Sequence, residues 1–259
     1  MKDKIIDISL WQLLSAYLFI VILTVIVKWR GIAREKEIVI GTLRMTIQLV
    51  LAGYVLTYLF KHPHPALTVL ILVLMEGFAV YNVFKRIKHE LSPSLKKVVA
   101  LSMTIGTLIS LLFFNYVVIQ FSPWFEPRYV IPIAGMIIGN AMTGVTLGVN
   151  HLVEGMEKQK HMVEAALMLG ASPKAATKEL VDRAFDSAIL PTINSMVGMG
   201  IVFLPGMMTG QILSGISPIT AIEYQIAIML GIAGSVAFSV IIFVQYGYRT
   251  FFNERAQLK

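Results

Sequence analysis

The sequence predicts an all-α, polytopic membrane protein with about seven transmembrane helices and a cytoplasmic helical hairpin. Three observations carry that prediction. The chain is 56% hydrophobic and 14% charged over 259 residues, against about 25% charged in soluble domains. Its apolar residues fall into blocks of about 20, the length a helix needs to cross a hydrocarbon core roughly 30 Å thick. All but one of the connections between blocks are short, and alternate connections are rich in Lys and Arg.

The blocks lie at 9–27, 38–60, 65–84, 98–120, 129–150, 190–214 and 219–247, and are read as a single transmembrane domain over 1–259. The first follows Met1-Lys2-Asp3-Lys4. It resembles a signal peptide but is too long and lacks a small-residue cleavage site before Lys28, so it reads as an anchored span. Residues 151–189 are the one long hydrophilic stretch. They read as two helices joined at Gly170-Ala171-Ser172, with Gly170 as a C-terminal stop, Ser172 as an N-cap and Pro173 in the following first turn. On the first arm Met162, Ala165, Ala166 and Leu169 recur at helical spacing, giving an apolar face for a partner groove or for the second arm.

Charge sets the orientation. Segments 28–37, 85–97 and 151–189 and the C-terminal tail together hold 17 Lys and Arg, while the alternate segments hold 4, with Arg44 inside a span. Basic residues near span ends stay in the cytoplasm, so the N-terminus is expected outside and the C-terminus inside. The net charge of +7 is therefore a topology signal before it is a nucleic-acid signal. The absence of cysteine excludes disulfides, thiolate metal sites and cysteine nucleophiles.

Within the spans, Arg44 and Glu76 are the clearest charges, and an ion at that depth needs a partner or water. They are expected to face each other, either as a pathway or gating pair or as a lock between helices. Glu223 near the outer end of the last span reads as a solvated interfacial carboxylate, with an entry or exit gate as the alternative. Gly135-xxx-Gly139, Gly144-xxx-Gly148 and Gly206-xxx-Gly210 repeat the spacing that lets helix backbones touch. Pro205 places a helix breaker midway in the sixth block, making 204–215 a pathway wall. Asn140, Asn194, Thr209 and Gln211 supply polar groups there, as a hydrophilic route or as interhelical hydrogen bonds. Met136, Met142, Met196, Met199, Met207 and Met208 read first as adaptable filler and only second as soft-metal ligands. The His62-Pro63-His64-Pro65 turn reads as an ordinary interfacial loop, with a weak metal contact as the alternative. The pairs His151-xx-Glu154 and His161-xx-Glu164 are ten residues apart, so a single four-ligand site on one helix is poorly formed, and metal binding there is the minor alternative.

Glu164-Ala165-Ala166, then Gly170, then Leu190-Pro191 resemble the EAA loop of ATP-binding-cassette (ABC) permeases, although Leu190-Pro191 falls 20 positions after Gly170. A fuller resemblance rests on Gly139-Asn140-Ala141-Met142, on Glu164-Ala165-Ala166-Leu167-xx-Gly170-Ala171, and on residues 204–215, Leu-Pro-Gly-Met-Met-Thr-Gly-Gln-Ile-Leu-Ser-Gly. On these the chain is similar to the FetB family of permeases, itself similar to the plant aluminium-sensitivity half-transporters. The resemblance implies a subunit of a metal exporter, iron above all, in the bacterial inner (plasma) membrane. It implies that Glu164, Ala165, Ala166, Gly170, Ala171 and Ser172 couple to a separate FetA-like ATPase, on which ATP and Mg²⁺ bind. The plant relatives are associated with UDP-glucose, so a nucleotide sugar is the alternative cargo.

The chain has no Gly-Lys dipeptide and hence no phosphate-binding loop. Hydrolysis is therefore expected on the partner, with no cofactor on this chain. Seven helices enclose little, so a homodimer is expected with the glycine faces of the fifth and sixth spans apposed. Pathway residues are expected among Arg44, Glu76, Asn140, Pro205, Met207, Met208, Thr209 and Gln211. An ion-coupled carrier is the main alternative mechanism, but it calls for more intramembrane carboxylates and an internal repeat. A retinal receptor would need a lysine in the last span, and an intramembrane protease a buried histidine or a Gly-x-Ser-x-Gly turn.

Overall fold

The computed structural model describes residues 7–259. Lys2 and Lys4, counted above on the outer side, lie outside the described residues. The chain forms two compact units, residues up to Pro63 with Leu213–Gly215, and His64–Ile212 with Ile216–Lys259.

The first unit is a pair of helical crossings. Helices α1 (Leu10–Ala16) and α2 (Leu18–Trp29) follow each other across a slight break at Tyr17, and α3 (Glu35–Lys61) returns. Ser9 and Gln12 form a reciprocal capping box at the start of α1. The Tyr17 hydroxyl lies 2.6 Å from Thr46 Oγ1, tying α1–α2 to α3 in a bilayer-depth contact that apolar side chains alone would not orient.

The second unit is the packed body. It comprises α4 (Pro65–Arg86), α5 (Pro93–Phe113) with a π-helical turn at Phe114–Ile119, α6 (Pro127–Lys158), α7 (Lys160–Met168), α8 (Pro173–Ala176), α9 (Lys178–Gly198), α10 (Gly206–Leu213) and α11 (Pro218–Gly247). Proline occupies the first turn of α4, α5, α6, α8 and α11, where its missing N–H costs nothing. His64 accepts from the Ala66 amide as the N-cap of α4, so the His-Pro-His-Pro stretch builds a helix start.

Small residues let α11 sit at the centre. A Cβ on Gly106 of α5 would lie 2.6 Å from the Ser239 backbone nitrogen, and one on Gly144 of α6 would lie 2.7 Å from Val236. Gly148 faces Ala184 and Ala188 of α9. The Gly144-xxx-Gly148 face is therefore consumed inside the protomer, where backbones approach closely. Around these contacts Val83, Val99, Met103, Ile133, Ile137, Val145, Leu152, Ile228, Val240 and Phe243 are fully buried.

Side-chain ties fix which helix ends meet. Thr68 Oγ1 donates to the Phe125 carbonyl at 3.0 Å, joining the start of α4 to the start of α6. The Lys88 amide donates to Asn150 Oδ1 at 3.2 Å, and His89 lies 3.1 Å from Glu157, joining the opposite ends. Thirteen of the fourteen Lys and Arg in this unit lie toward the end that holds Lys88 and the α7–α8 elbow, with Arg128 at the distal end.

Among the described residues, six helices are long and apolar enough to cross a membrane by length and composition, and α9 is not one of them. The sixth expected span, 190–214, is absent as one helix. The helix that begins this stretch, α9, starts twelve residues earlier and ends at Gly198, so the break falls at Met199 and not at Pro205. Gln225 Nε2 reaches Met199 Sδ at 3.7 Å, so α9 arrives about 10 Å from the start of α11 before it breaks. Pro205 does not sit midway in a crossing; it leads into the separate helix α10. The boundary was displaced because Asp182, Arg183 and Asp186 make the first turns of α9 polar, while packing on α6 extends the helix through them. The same extension holds at α6, whose 32 residues span about 48 Å. The arms of the expected hairpin are thus largely continuations of α6 and α9.

Candidate functional site

The elbow between α7 and α8 is a strongly exposed apolar feature of the second unit. Leu169 closes α7, and Gly170 adopts φ +89° while its amide donates to the Leu167 carbonyl at 3.0 Å. That left-handed position favours glycine. Ser172 then accepts from the Ala175 amide at 3.3 Å with Pro173 in the first turn, as the cap residues predict. Val163 turns inward at 2% exposure, whereas Met168 and Leu169 stand out at 87% and 90%. Met162 and Ala165 are exposed with them, while Ala166 is half-buried, so the predicted face is mostly open. Glu164 sits 3.9 Å from both Lys160 and His161. Glu154 pairs with Lys158 at 2.6 Å. The carboxylates of both His-xx-Glu pairs thus have cationic neighbours, and the described residues contain no group of three metal-ligating side chains.

Beside the elbow, Lys174, Lys178, Asp182 and Asp186 recur every fourth residue along α8 and α9 and line one groove with Val244 and Tyr248 of the α11 end. The sequence reading missed this stripe, although its four-residue spacing was there to find.

The intramembrane residues separate into distinct environments. Arg44 lies half-buried on α3 of the first unit. Glu76 lies on α4 of the second, where its Oε2 accepts from Thr107 Oγ1 at 3.1 Å, and its Oε1 is buried without a hydrogen-bond donor. Thr107 was not singled out from sequence, since a threonine in an apolar block carries no signal until its helix is rotated into register.

Asn140 and Thr143 are exposed on α6, and Gly139 has open space where a Cβ would stand. Because Gly144 meets Ala188 in an antiparallel pair, Asn140 lies near the level of Asn194, also exposed on α9. Each asparagine therefore stands on a face that the protomer leaves uncovered. Gly206 and Gly210 are likewise open. Met208 is buried, and Met207, Thr209, Gln211 and Pro205 are half-buried. The Thr209 amide donates to the Pro205 carbonyl at 2.9 Å, closing the first turn of α10. Met136, Met142, Met196, Met199 and Met207 pack against the apolar core, the filler role expected of them. At the break, Gly200 adopts φ +84° and its amide donates to the Phe203 carbonyl at 3.0 Å, while Ile201 and Val202 remain 90% and 81% exposed. Neither Gly200 nor this apolar turn was foreseen.

These features define a multi-pass helical membrane protein with small-residue and polar faces left open. The chain belongs to the uncharacterised protein family UPF0014, which matches residues 10–252. It is 35% identical to the "Probable iron export permease protein FetB" of Escherichia coli over 95% of this chain and 93% of that protein. It is equally identical to "Protein ALUMINUM SENSITIVE 3" of Arabidopsis thaliana over 95% of this chain and 88% of that protein. The "UPF0014 membrane protein YjkA" of Bacillus subtilis is 36% identical over 87% and 88%. No solved structure gives a significant match.

Proposed function

We propose that this chain is the membrane subunit of an ABC exporter for a metal ion, iron first, driven by a separate FetA-like ATPase that binds ATP and Mg²⁺. The observation that carries the reading is the elbow. A glycine-stopped, serine-capped turn presents Met168 and Leu169 almost fully to solvent at the basic end, and Glu164, Ala165, Ala166, Gly170, Ala171 and Ser172 follow the coupling-loop pattern. Solvated apolar side chains on a rigid turn are suited to a groove on a cytoplasmic partner. The metal cargo rests on the name of the Escherichia coli relative.

The basic charge at the elbow end supports a cytoplasmic elbow and C-terminus with the N-terminus outside. In the bacterial inner membrane this chain forms a homodimer in which the open faces at Gly139, Asn140, Gly206 and Gly210 are apposed. Glu76, Arg44, Asn140, Pro205, Met207, Met208, Thr209 and Gln211 are the pathway residues of this reading. ATP-driven closure of the partner pulls the elbow, and α6 and α9, continuous with it, carry the motion into the bilayer.

The test is ATP hydrolysis by the chain co-purified in lipid with its candidate ATPase during titration with iron and other metal ions. Stimulation by one ion supports coupling and cargo together. An ATPase that binds but ignores every metal shifts the reading to a non-metal cargo such as a nucleotide sugar. If no ATPase co-purifies, an ion-coupled carrier replaces it.

A further inference from the structure

The distal end of α5 and α11 holds a slot that the transport reading does not use. Its volume is about 530 Å³, and Phe113, Phe114, Val118, Leu230, Gly234 and Phe238 form its apolar walls, with Glu223 at one end. Glu223 also borders a shallower recess of about 230 Å³ with Tyr224.

A π-helical segment and two glycines border this space. At Phe114–Ile119 the chain leaves α-helical for π-helical geometry, a local change that recurs at functional sites. The Phe114 ring lies over Gly231, where a Cβ would stand 2.9 Å from it. At Gly234 a Cβ would meet only the Phe238 ring, at 3.9 Å, leaving the floor open.

Chemistry and length name the occupant. Glu223 is exposed and makes no ion pair among the described residues. A carboxylate at the mouth of an apolar slot selects a cation that carries an apolar tail. From Glu223 to Phe238 the slot follows α11 for about 22 Å, and from Ser110 to Val118 it follows α5 for about 12 Å. One leaflet of the hydrocarbon core is about 15 Å deep. These lengths bracket that depth, so the slot has room for one acyl chain running from headgroup level toward the midplane.

We propose that the slot binds one acyl chain of an aminophospholipid, phosphatidylethanolamine in chemical class, with its ammonium donating to the Glu223 carboxylate. An anionic headgroup placed there is repelled by the same charge.

The protein is reconstituted in vesicles of equal phosphatidylethanolamine and phosphatidylglycerol with identical acyl chains, released in mild detergent and weighed with its bound lipid by native mass spectrometry. Wild type is expected to retain phosphatidylethanolamine over phosphatidylglycerol by about three- to fivefold, the scale of an interfacial ion pair. Glu223→Gln is expected to abolish that preference while keeping the total lipid bound. Gly234→Leu, which fills the floor without a backbone clash, is expected to lower retention of both lipids at an unchanged melting temperature. Equal retention by wild type, or a preference that survives Glu223→Gln, overturns the proposal. Full retention by folded Gly234→Leu overturns the placement of the chain in the slot. Should Gly234→Leu fail to fold, Glu223→Gln alone decides the matter.

Discussion

Leu169 offers the sharpest test of the elbow, because its side chain contributes so little to the folded chain on its own. It is 90% exposed, so Leu169→Ala removes almost no internal packing and should alter stability by about 0.5 kcal/mol or less, as exposed substitutions do. In the proposed docked complex the same side chain would be buried, and burying a leucine stabilises by about 1.5–3 kcal/mol. At about 1.4 kcal/mol per decade, the concentration of ATPase subunit needed for half-maximal hydrolysis should rise about 10- to 150-fold. The assay titrates the ATPase onto lipid-reconstituted protein at saturating ATP and compares melting temperatures in parallel. A shift below about twofold with an unchanged melting temperature would refute the reasoning, since Leu169 would then be as solvated in the complex as it is alone.

Three further outcomes are expected. Gly106→Val should destabilise the second unit by at least about 1–3 kcal/mol, because its Cβ would stand 2.6 Å from the Ser239 nitrogen; thermal unfolding in detergent checks it, and a wild-type midpoint would mean that α5 and α11 separate easily. Glu76→Gln keeps a carbonyl oxygen for the Thr107 hydroxyl, so abundance should hold while metal-stimulated hydrolysis falls; unaltered stimulation would confine Glu76 to a structural role. The chain lacks cysteine, so Met168→Cys and Ser217→Cys each introduce a single thiol. In intact cells an impermeant maleimide should label Ser217→Cys alone, and labelling of Met168→Cys without permeabilisation would reverse the orientation.

Local chemistry made the elbow legible before any coordinates. Gly170 and Ser172 act through their own φ angle and their own hydroxyl on amides within a few residues, so the turn they form scarcely depends on distant chain. The hairpin's extent was not legible in the same way. Packing of α6 on α9 carries regular helix through charged residues that a hydropathy window reads as loop, so the helix there starts at Lys178 and ends at Gly198.

By itself the sequence determined the membrane class, the helical periodicity, the caps and the sidedness of charge, because each follows from the identity of residues near one another along the chain. Tertiary structure decided which small residues are consumed and which remain open. Gly144 and Gly148 close on α9 and α11, while Gly139, Gly206 and Gly210 face nothing within 4 Å, although all share one spacing. It also gave Glu76 its Thr107 partner and opened the slot below Glu223. Helical spacing says which residues share a face, but only the rotation and register of packed neighbours say what that face meets.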